Sequence, residues 1–286
     1  MINIGIVGLG YVGSALEHVF KKYKDITQTE TFDIHKNSSV SSLKKLVHKS
    51  EIIFLCLPTP MKKDGTCDIT ILSETVSDID DIVKTFNLNQ KLVVIKSTIT
   101  IGCTDQLNNQ FKNIKIIFNP EFLREASFIH DFENQDRIVI GGTLDDVNNL
   151  EKFYKKIFPE VPIIKTSSKI AETTKYLTNA FLATKVSFAN EIKTLCDKLD
   201  INYNEVVEAA IFDKRLGNSH WDVPGPDGKN GFAGTCLPKD LASLINQFSS
   251  NDIEAHILKA VWNRNINIDR KEKDWEKLIG RAVSED

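Results

Sequence analysis

The densest set of reactive side chains lies in Gly231-Phe232-Ala233-Gly234-Thr235-Cys236-Leu237-Pro238-Lys239-Asp240. A thiol attacks a carbonyl as its thiolate, and this segment favours that form. Pro238 suits the first turn of a helix, which sets Cys236 just ahead of a helix N-terminus and its positive dipole end. Lys239 adds a cation. Asp240, one turn beyond the cysteine, is near enough to handle a proton or orient a water. A solitary cysteine is more often an inert buried hydrophobe, but the glycines before it and the Pro-Lys-Asp after it argue for a nucleophile. Cys103, after Ile101-Gly102 and ahead of a helical stretch, competes for the role without such neighbours.

Other groups have telling spacings. Lys175 and Asn179 are four apart in a helical pattern and share a face. Glu121 and Glu125 are also four apart, in Asn119-Pro120-Glu121-Phe122-Leu123-Arg124-Glu125 directly after a strand. Leu57-Pro58-Thr59-Pro60 and Lys96-Ser97-Thr98-Ile99 fall at the carboxyl ends of strands, where open α/β sheets place ligands. Thr59 and Thr98 there either contact a ligand or cap the helices that follow. Near the start, Gly8-Leu9-Gly10-Tyr11-Val12-Gly13 follows a strand and opens a helix, the arrangement that lets a pyrophosphate approach backbone N–H groups. Asp33, 20 residues after Gly13, ends the second strand, where an acid accepts hydrogen bonds from an adenosine ribose. It repels a 2′-phosphate, so the expected cofactor is NAD rather than NADP, a preference that Lys36 tempers.

These groups need a scaffold. The pattern predicts strands at Asn3–Val7, Thr29–Asp33, Ile52–Leu57, Lys91–Ile95, Lys115–Phe118, Arg137–Ile140 and Pro162–Lys165. Amphipathic helices such as Val12–Lys22, Ile71–Phe86 and Asp145–Ile157 lie between most of them. The expected fold class is α/β: a Rossmann-like, doubly wound, mostly parallel sheet over residues 1–166. Residues 167–286 read as a helical central domain that carries the cysteine loop. It has a long helix at Lys169–Leu199, then helices at Tyr203–Phe212, Pro238–Phe248 and Ile253–Arg281.

Of the 286 residues, 41% are hydrophobic and 26% charged, ordinary values for about two globular domains. A net charge of −3 gives no electrostatic footprint for nucleic acid or an anionic membrane. The longest strongly apolar run, Ile52 to Leu57, is too short to span a bilayer, and Met1 leads straight into a strand, which leaves no room for a cleavable signal. Five scattered cysteines and six histidines show neither a disulfide framework nor metal-ligand spacing. The expectation is a cytoplasmic chain with no metal.

Taken in order, these segments resemble the UDP-glucose/GDP-mannose dehydrogenase family. The likeness is carried by the glycine turn, Pro58-Thr59-Pro60, Ser97-Thr98, Asn119 to Glu125, Lys175 with Asn179, Asp213-Lys214-Arg215-Leu216-Gly217 and Gly231 to Asp240. It implies a four-electron oxidation of a nucleotide sugar at C6, from primary alcohol to uronate, with two NAD per turnover. Cys236 would trap the aldehyde as a thiohemiacetal and pass through a thioester that water hydrolyses. Lys175 and Asn179 would stabilise the oxyanion, with Asp240, Glu121 and Thr98 organising water and protons. The cofactor would meet Gly8, Gly10, Tyr11, Val12, Gly13, Asp33, Thr59, Pro60 and Thr98, and Glu125 would touch cofactor or substrate. Glu121, Phe122, Leu123, Lys175, Asn179, Arg215, Phe232 and Gly234 would meet the sugar nucleotide, and Lys239 would contact phosphates of either ligand. The resemblance also implies a homodimer through the central helices.

Family members usually carry a third α/β domain that grips the nucleotide, and here the chain stops at Asp286, just where such a domain would begin. Ala233 and Thr235 stand in the cysteine loop where glycine and serine are common. UDP-glucose leads as the expected substrate, ahead of GDP-mannose and UDP-N-acetylhexosamines. Two other readings stay open: a two-electron dehydrogenase of the 3-hydroxyacid or 6-phosphogluconate type, and an idle subunit that binds NAD without turnover.

Overall fold

Seven strands pair into one sheet in the computed structural model, which describes residues 1–285. The strands are β1 (Ile2–Val7), β2 (Thr27–Phe32), β3 (Ile52–Leu55), β4 (Lys91–Ile95), β5 (Ile114–Phe118), β6 (Ile138–Gly141) and β7 (Ile163–Thr166). Their order across the sheet is β2-β1-β3-β4-β5-β6-β7. All neighbours run parallel except β5 and β6, which meet antiparallel at Phe118 and Gly141. The expected doubly wound α/β sheet is the one that forms. Its winding reverses between β1 and β3, the place where such sheets open a crevice beyond their carboxyl ends.

Parallel strands covered on both faces read as unbroken apolar runs, and β3, Ile-Ile-Phe-Leu, is buried at all four positions. Alternate side chains feed two cores. One joins Ile4, Ile6, Phe54, Val94 and Ile117 to Leu16 and Phe20 of α1 (Tyr11–Lys22) and to Leu150 and Phe153 of a later helix, Leu144–Ile157. The other joins Val7, Ile53, Leu55, Val93 and Ile116 to Val76 and Ile79 of the helix Thr70–Thr85. The intervening helices, in chain order, are α2 (Leu43–Lys49), α3 (Thr70–Thr85), α4 (Cys103–Gln110), α5 (Phe128–Glu133) and α6 (Leu144–Ile157). The sequence pattern leaves α2 and α5 unassigned, because both are short. Ser42 caps α2 by accepting from Lys45 N at 3.3 Å.

A 31-residue helix, α7 (Ser168–Lys198), follows, then α8 (Tyr203–Ala210), α9 (Leu237–Ser249) and α10 (His256–Arg264). By packing, the chain divides into two compact units. One comprises Met1–Thr59 and Ile69–Lys175, the other Pro60–Asp68 and Tyr176–Asp286. In the second unit, the strap Pro60–Asp68 is held by Met61 N donating to Ala282 O at 2.9 Å and Ser284 N donating to Met61 O at 2.8 Å.

The single helix expected over Ile253–Arg281 does not form. After α10 the chain widens into a π turn, Asn265–Asp269, then reaches Lys273 at φ 43° and a 3-10 turn at Asp274–Lys277. The cause is polar burial. Arg270, 2% exposed, bonds the Asn230 carbonyl, Asp227 and Asp274, and Asn265, fully buried, also turns its amide to the main chain. Buried polar groups must find partners, and these find them by leaving α-helical register.

Candidate active site

In the first unit the glycine turn sits at the carboxyl end of β1. Gly8 has φ +89°, and a β-carbon on Gly13 would lie 1.9 Å from the Gly8 carbonyl oxygen, so only glycine lets α1 start so close to the strand. A β-carbon on Gly10 would meet nothing within 4 Å, so this stretch of backbone stands open to an approaching group. Gly10 is the N-cap of α1 and supplies no side-chain cap, which leaves first-turn N–H groups to an outside acceptor. Asp33 follows β2. Its carboxylate accepts from Leu9 N at 2.6 Å, His35 N at 2.7 Å and Lys36 N at 2.9 Å. Burial alone would raise its pKa, but those N–H donors and Lys36 outweigh it and hold the group below its ordinary value. The Lys36 ammonium is itself engaged, donating to Leu9 O at 2.5 Å. An ionised acid beside an open helix N-terminus fits a dinucleotide with a free 2′-hydroxyl. Val12 packs half-buried against the core, while Tyr11 is 37% exposed with its ring 5.3 Å from Phe128.

The loops after β3 and β4 are stitched together by Ser97, whose hydroxyl accepts from Leu57 N at 2.9 Å and donates to Leu57 O at 2.6 Å. Thr59, Pro60 and Thr98 are buried. After β5 comes a charged cluster. Lys175, 3% exposed, donates to Glu121 Oε1 at 2.9 Å and to the Glu121 carbonyl at 2.7 Å. Glu121 also accepts from Leu123 N at 2.7 Å. Desolvation pushes its pKa up, but Lys175, Leu123 N–H and Lys96 prevail and hold the carboxylate ionised. Phe122 lies half-buried, with Lys175 Nζ 5.5 Å from its ring centroid and the Arg137 guanidinium 4.3 Å away. Glu125 is exposed in a 3-10 turn, Glu125–Ser127.

In the second unit Cys236 is the N-cap of α9, with Pro238 in the first turn and Asp240 N donating to Cys236 O at 3.0 Å. Asp240 is 1% exposed. It accepts from Lys239 Nζ and from Asn179 Nδ2, each at 2.5 Å. Burial works against the Lys239 charge, but Asp240, Cys67 and Cys236 more than offset it and hold this ammonium well above the usual lysine range. Thr235 Oγ1 lies 3.6 Å from Cys236 Sγ. Phe232 is buried at 3% exposure, whereas Gly234 is open. Arg215 is exposed and pairs with Asp213, two residues before it.

The rival thiol is differently placed. Cys103 opens α4 at 2% exposure, but Glu172 occupies that helix N-terminus, accepting from Gly102 N at 2.5 Å and Thr104 N at 2.9 Å. A carboxylate there opposes a second anion.

Some members of these clusters are not evident from the sequence. Lys96, 3% exposed, donates to Asn119 Oδ1 at 3.0 Å, and Tyr154 donates to the same oxygen at 2.6 Å. Burial draws Lys96 down to about 8, against the pull of Cys56 and Glu121. The available signal is a lysine directly after the apolar run Leu92–Ile95. Among the described residues no group of three or more His, Cys, Asp or Glu side chains is placed to hold a metal ion, and no helix is long and apolar enough to cross a membrane.

Comparison with known proteins agrees with this architecture. Residues 28–158 match the NAD-binding domain of the UDP-glucose/GDP-mannose dehydrogenase family, and residues 169–267 match its central domain. The chain is 34% identical to the UDP-glucose 6-dehydrogenase YwqF of Bacillus subtilis, covering 93% of this chain and 66% of that one. It is 30% identical to the UDP-glucose 6-dehydrogenase of Rickettsia bellii, covering 92% and 67% respectively. Among solved structures, a UDP-glucose dehydrogenase from Pyrobaculum islandicum superposes with a TM-score of 0.81 at 28% identity, covering 93% of this chain and 68% of that chain. The chain spans about half to two thirds of the length of most curated relatives it matches. It belongs to the UDP-glucose/GDP-mannose dehydrogenase family, and carries that family's NAD-binding and central domains.

Proposed function

We propose that the chain oxidises the C6 primary alcohol of a nucleotide sugar to the carboxylate, with UDP-glucose as the leading substrate and two NAD consumed per sugar. The Gly8–Gly13 turn and Asp33 would hold NAD, which would supply the hydride acceptor for each oxidation at C6. The observation that carries this reading is Cys236 at the N-cap of α9, within one turn of the Lys239–Asp240–Asn179 network. A two-electron oxidation has no use for such a thiol.

In the first oxidation the C6 hydroxyl loses its proton to water held by Glu121 and Thr98, giving an aldehyde. The Cys236 thiolate then adds to C6, and the carbonyl π pair moves to oxygen, where the Lys175 ammonium and the Asn179 amide donate hydrogen bonds. When the second C6–H bond breaks, the oxygen pair re-forms C=O and leaves a thioester. Asp240 takes a proton from the attacking water, the C–S bond breaks, and Cys236 departs as thiolate. Phe122, Leu123, Phe232, Gly234 and Arg215 contact the sugar nucleotide, while Tyr11, Val12, Thr59, Pro60 and Glu125 contact the cofactor. Lys239 serves phosphates as well as Asp240. The five cysteines are free thiols, which suits a reducing cytoplasm.

The test is stoichiometric. Purified protein with NAD and a panel of UDP-glucose, GDP-mannose and UDP-N-acetylhexosamines should give two NADH per sugar from one of them. Cys236→Ser should release no uronate. One NADH per sugar with full turnover in that variant establishes the two-electron chemistry instead, and no NADH from any sugar with the unaltered protein establishes the idle subunit.

A homodimer is part of the same proposal. On α7, Leu177, Phe181, Phe188 and Leu195 are each more than half exposed, at spacings of four and seven that place them along one helix face. An apolar stripe of this kind is suited to a second copy. Sedimentation of Phe181→Asp should show a monomer where the unaltered chain is dimeric; an unchanged dimer would exclude this face.

A further inference from the structure

Asn265 is fully buried and turns both polar atoms of its amide to the cysteine loop. Its Oδ1 accepts from Phe232 N at 2.9 Å and its Nδ2 donates to Phe232 O at 2.9 Å, the two-point pairing that one strand residue offers another. The preceding residue is held as well. Gly231 N donates to Asn190 Oδ1 at 3.2 Å, and Asn190, 3% exposed, fixes its amide by donating to Val186 O at 2.8 Å. Gly231 has φ +71°, and a β-carbon there would sit 2.4 Å from Asn265 Oδ1, so the glycine is what lets the amide come this close.

The two ends of the loop are thus fixed. On one side Phe232 is clamped. On the other, α9 starts at Cys236 and is anchored by Leu241, which is fully buried. Between them Gly234, at φ +78°, has no atom within 4 Å of where a β-carbon would lie. Phe232 lies four residues ahead of Cys236, so the clamp sets where the chain enters the turn that carries the sulfur. The π turn that starts at Asn265 serves this end: Arg270 N donates to Asn265 O at 2.7 Å, and the Arg270 side chain holds the Asn230 carbonyl at 3.2 Å.

We propose that Asn265 is a positioning residue for the catalytic cysteine, acting through the Phe232 backbone with Asn190 as its second point. This rests on the reading of Cys236 as the nucleophile, but the clamp itself is testable without turnover. The informative variant is Asn265→Asp. A neutral carboxylic acid offers one acceptor and one O–H donor and so reproduces the amide's pairing. The carboxylate offers only acceptors and repels Phe232 O. The variant should therefore behave like the unaltered protein at acid pH and lose loop order as the new carboxyl ionises.

Hydrogen–deuterium exchange of residues 231–236, taken as variant over unaltered protein at each pH from about 5 to 9, should rise about tenfold or more across the range while α9 stays protected. With substrate, kcat should fall by about the same factor over that range, with the KM for NAD unchanged. A ratio flat with pH, or exchange that rises everywhere at once, would show a merely structural asparagine and overturn the proposal. Asn190→Ala, which removes the Gly231 and Val186 bonds and leaves the Phe232 pairing in place, should raise exchange in the same segment by a smaller factor, and an unchanged segment there counts equally against the clamp. If the unaltered protein makes no NADH with any nucleotide sugar, the functional reading fails, while the exchange data still judge the clamp.

Discussion

Each unit buries one lysine–carboxylate pair, and the two are built differently. In the first unit Glu121 meets Lys175 across 54 residues of chain, so the pair is a tertiary contact that ties the loop after β5 to α7. In the second, Lys239 and Asp240 are neighbours in the first turn of α9, and the long-range tie is the neutral Asn179 amide, 61 residues away from Asp240. Glu121 has cations on its side chain from Lys175 and, at longer range, from Lys96. Asp240 is satisfied by one cation and one amide. The first pair therefore carries fold as well as chemistry, whereas the second leaves its fold to apolar neighbours such as Leu241 and Leu244 and keeps its charges for the site.

The sharpest way to break this contrast is to remove one lysine at a time. Lys175→Met takes the close cation from a carboxylate that is only 10% exposed and leaves it the Leu123 N–H, and breaking a buried pair on one side costs about 3–5 kcal/mol. Chemical denaturation should show a loss of that size together with loss of turnover. Lys239→Met should cost less, about 1–2 kcal/mol, because Asp240 keeps Asn179. Equal losses from the two variants would erase the distinction.

A second comparison turns on acid. The Glu121 pKa is lowered in the folded protein, so the unfolded chain binds the proton more tightly. Stability from this group is complete above the ordinary carboxylate value of 4.5 and is lost as pH falls through that value toward the lower folded one. Glu121→Gln should flatten the acid limb of a stability–pH curve at the cost of stability near neutrality. An unaltered limb would mean that Glu121 is not ionised in the folded state.

The same contrast explains what could be read from the chain beforehand. The Gly8–Gly13 turn and Asp33 are legible because their work is local: a φ of +89°, a 1.9 Å approach, N–H donors within a few residues. Cys236 at a helix start is legible for the same reason, since Pro238 marks the first turn. The pairing of Glu121 with Lys175 is not, because nothing in either segment names the other, and Glu121 looked as much like a partner in spacing for Glu125. Asn265 is the extreme case. Its neighbours continue a helical pattern, its partner lies 33 residues upstream, and the π turn that frees it has no signature in residue types. Lys96 was masked by the hydroxyls beside it.

The smallest effect separates buried pairs from exposed ones. Arg215 and Asp213 also form a cation–carboxylate contact, but both are open to water and two residues apart, where an ion pair adds little to stability. Arg215→Ala should leave the melting temperature unchanged. A guanidinium free of structural duty still matters if it grips a phosphate of the sugar nucleotide, as bidentate arginines do. The KM for the sugar nucleotide should then rise about tenfold with kcat nearly unchanged, the signature of binding shared by ground and transition states. A variant with normal KM would remove Arg215 from the substrate contacts, and one that melts early would show that its pair with Asp213 supports the fold after all.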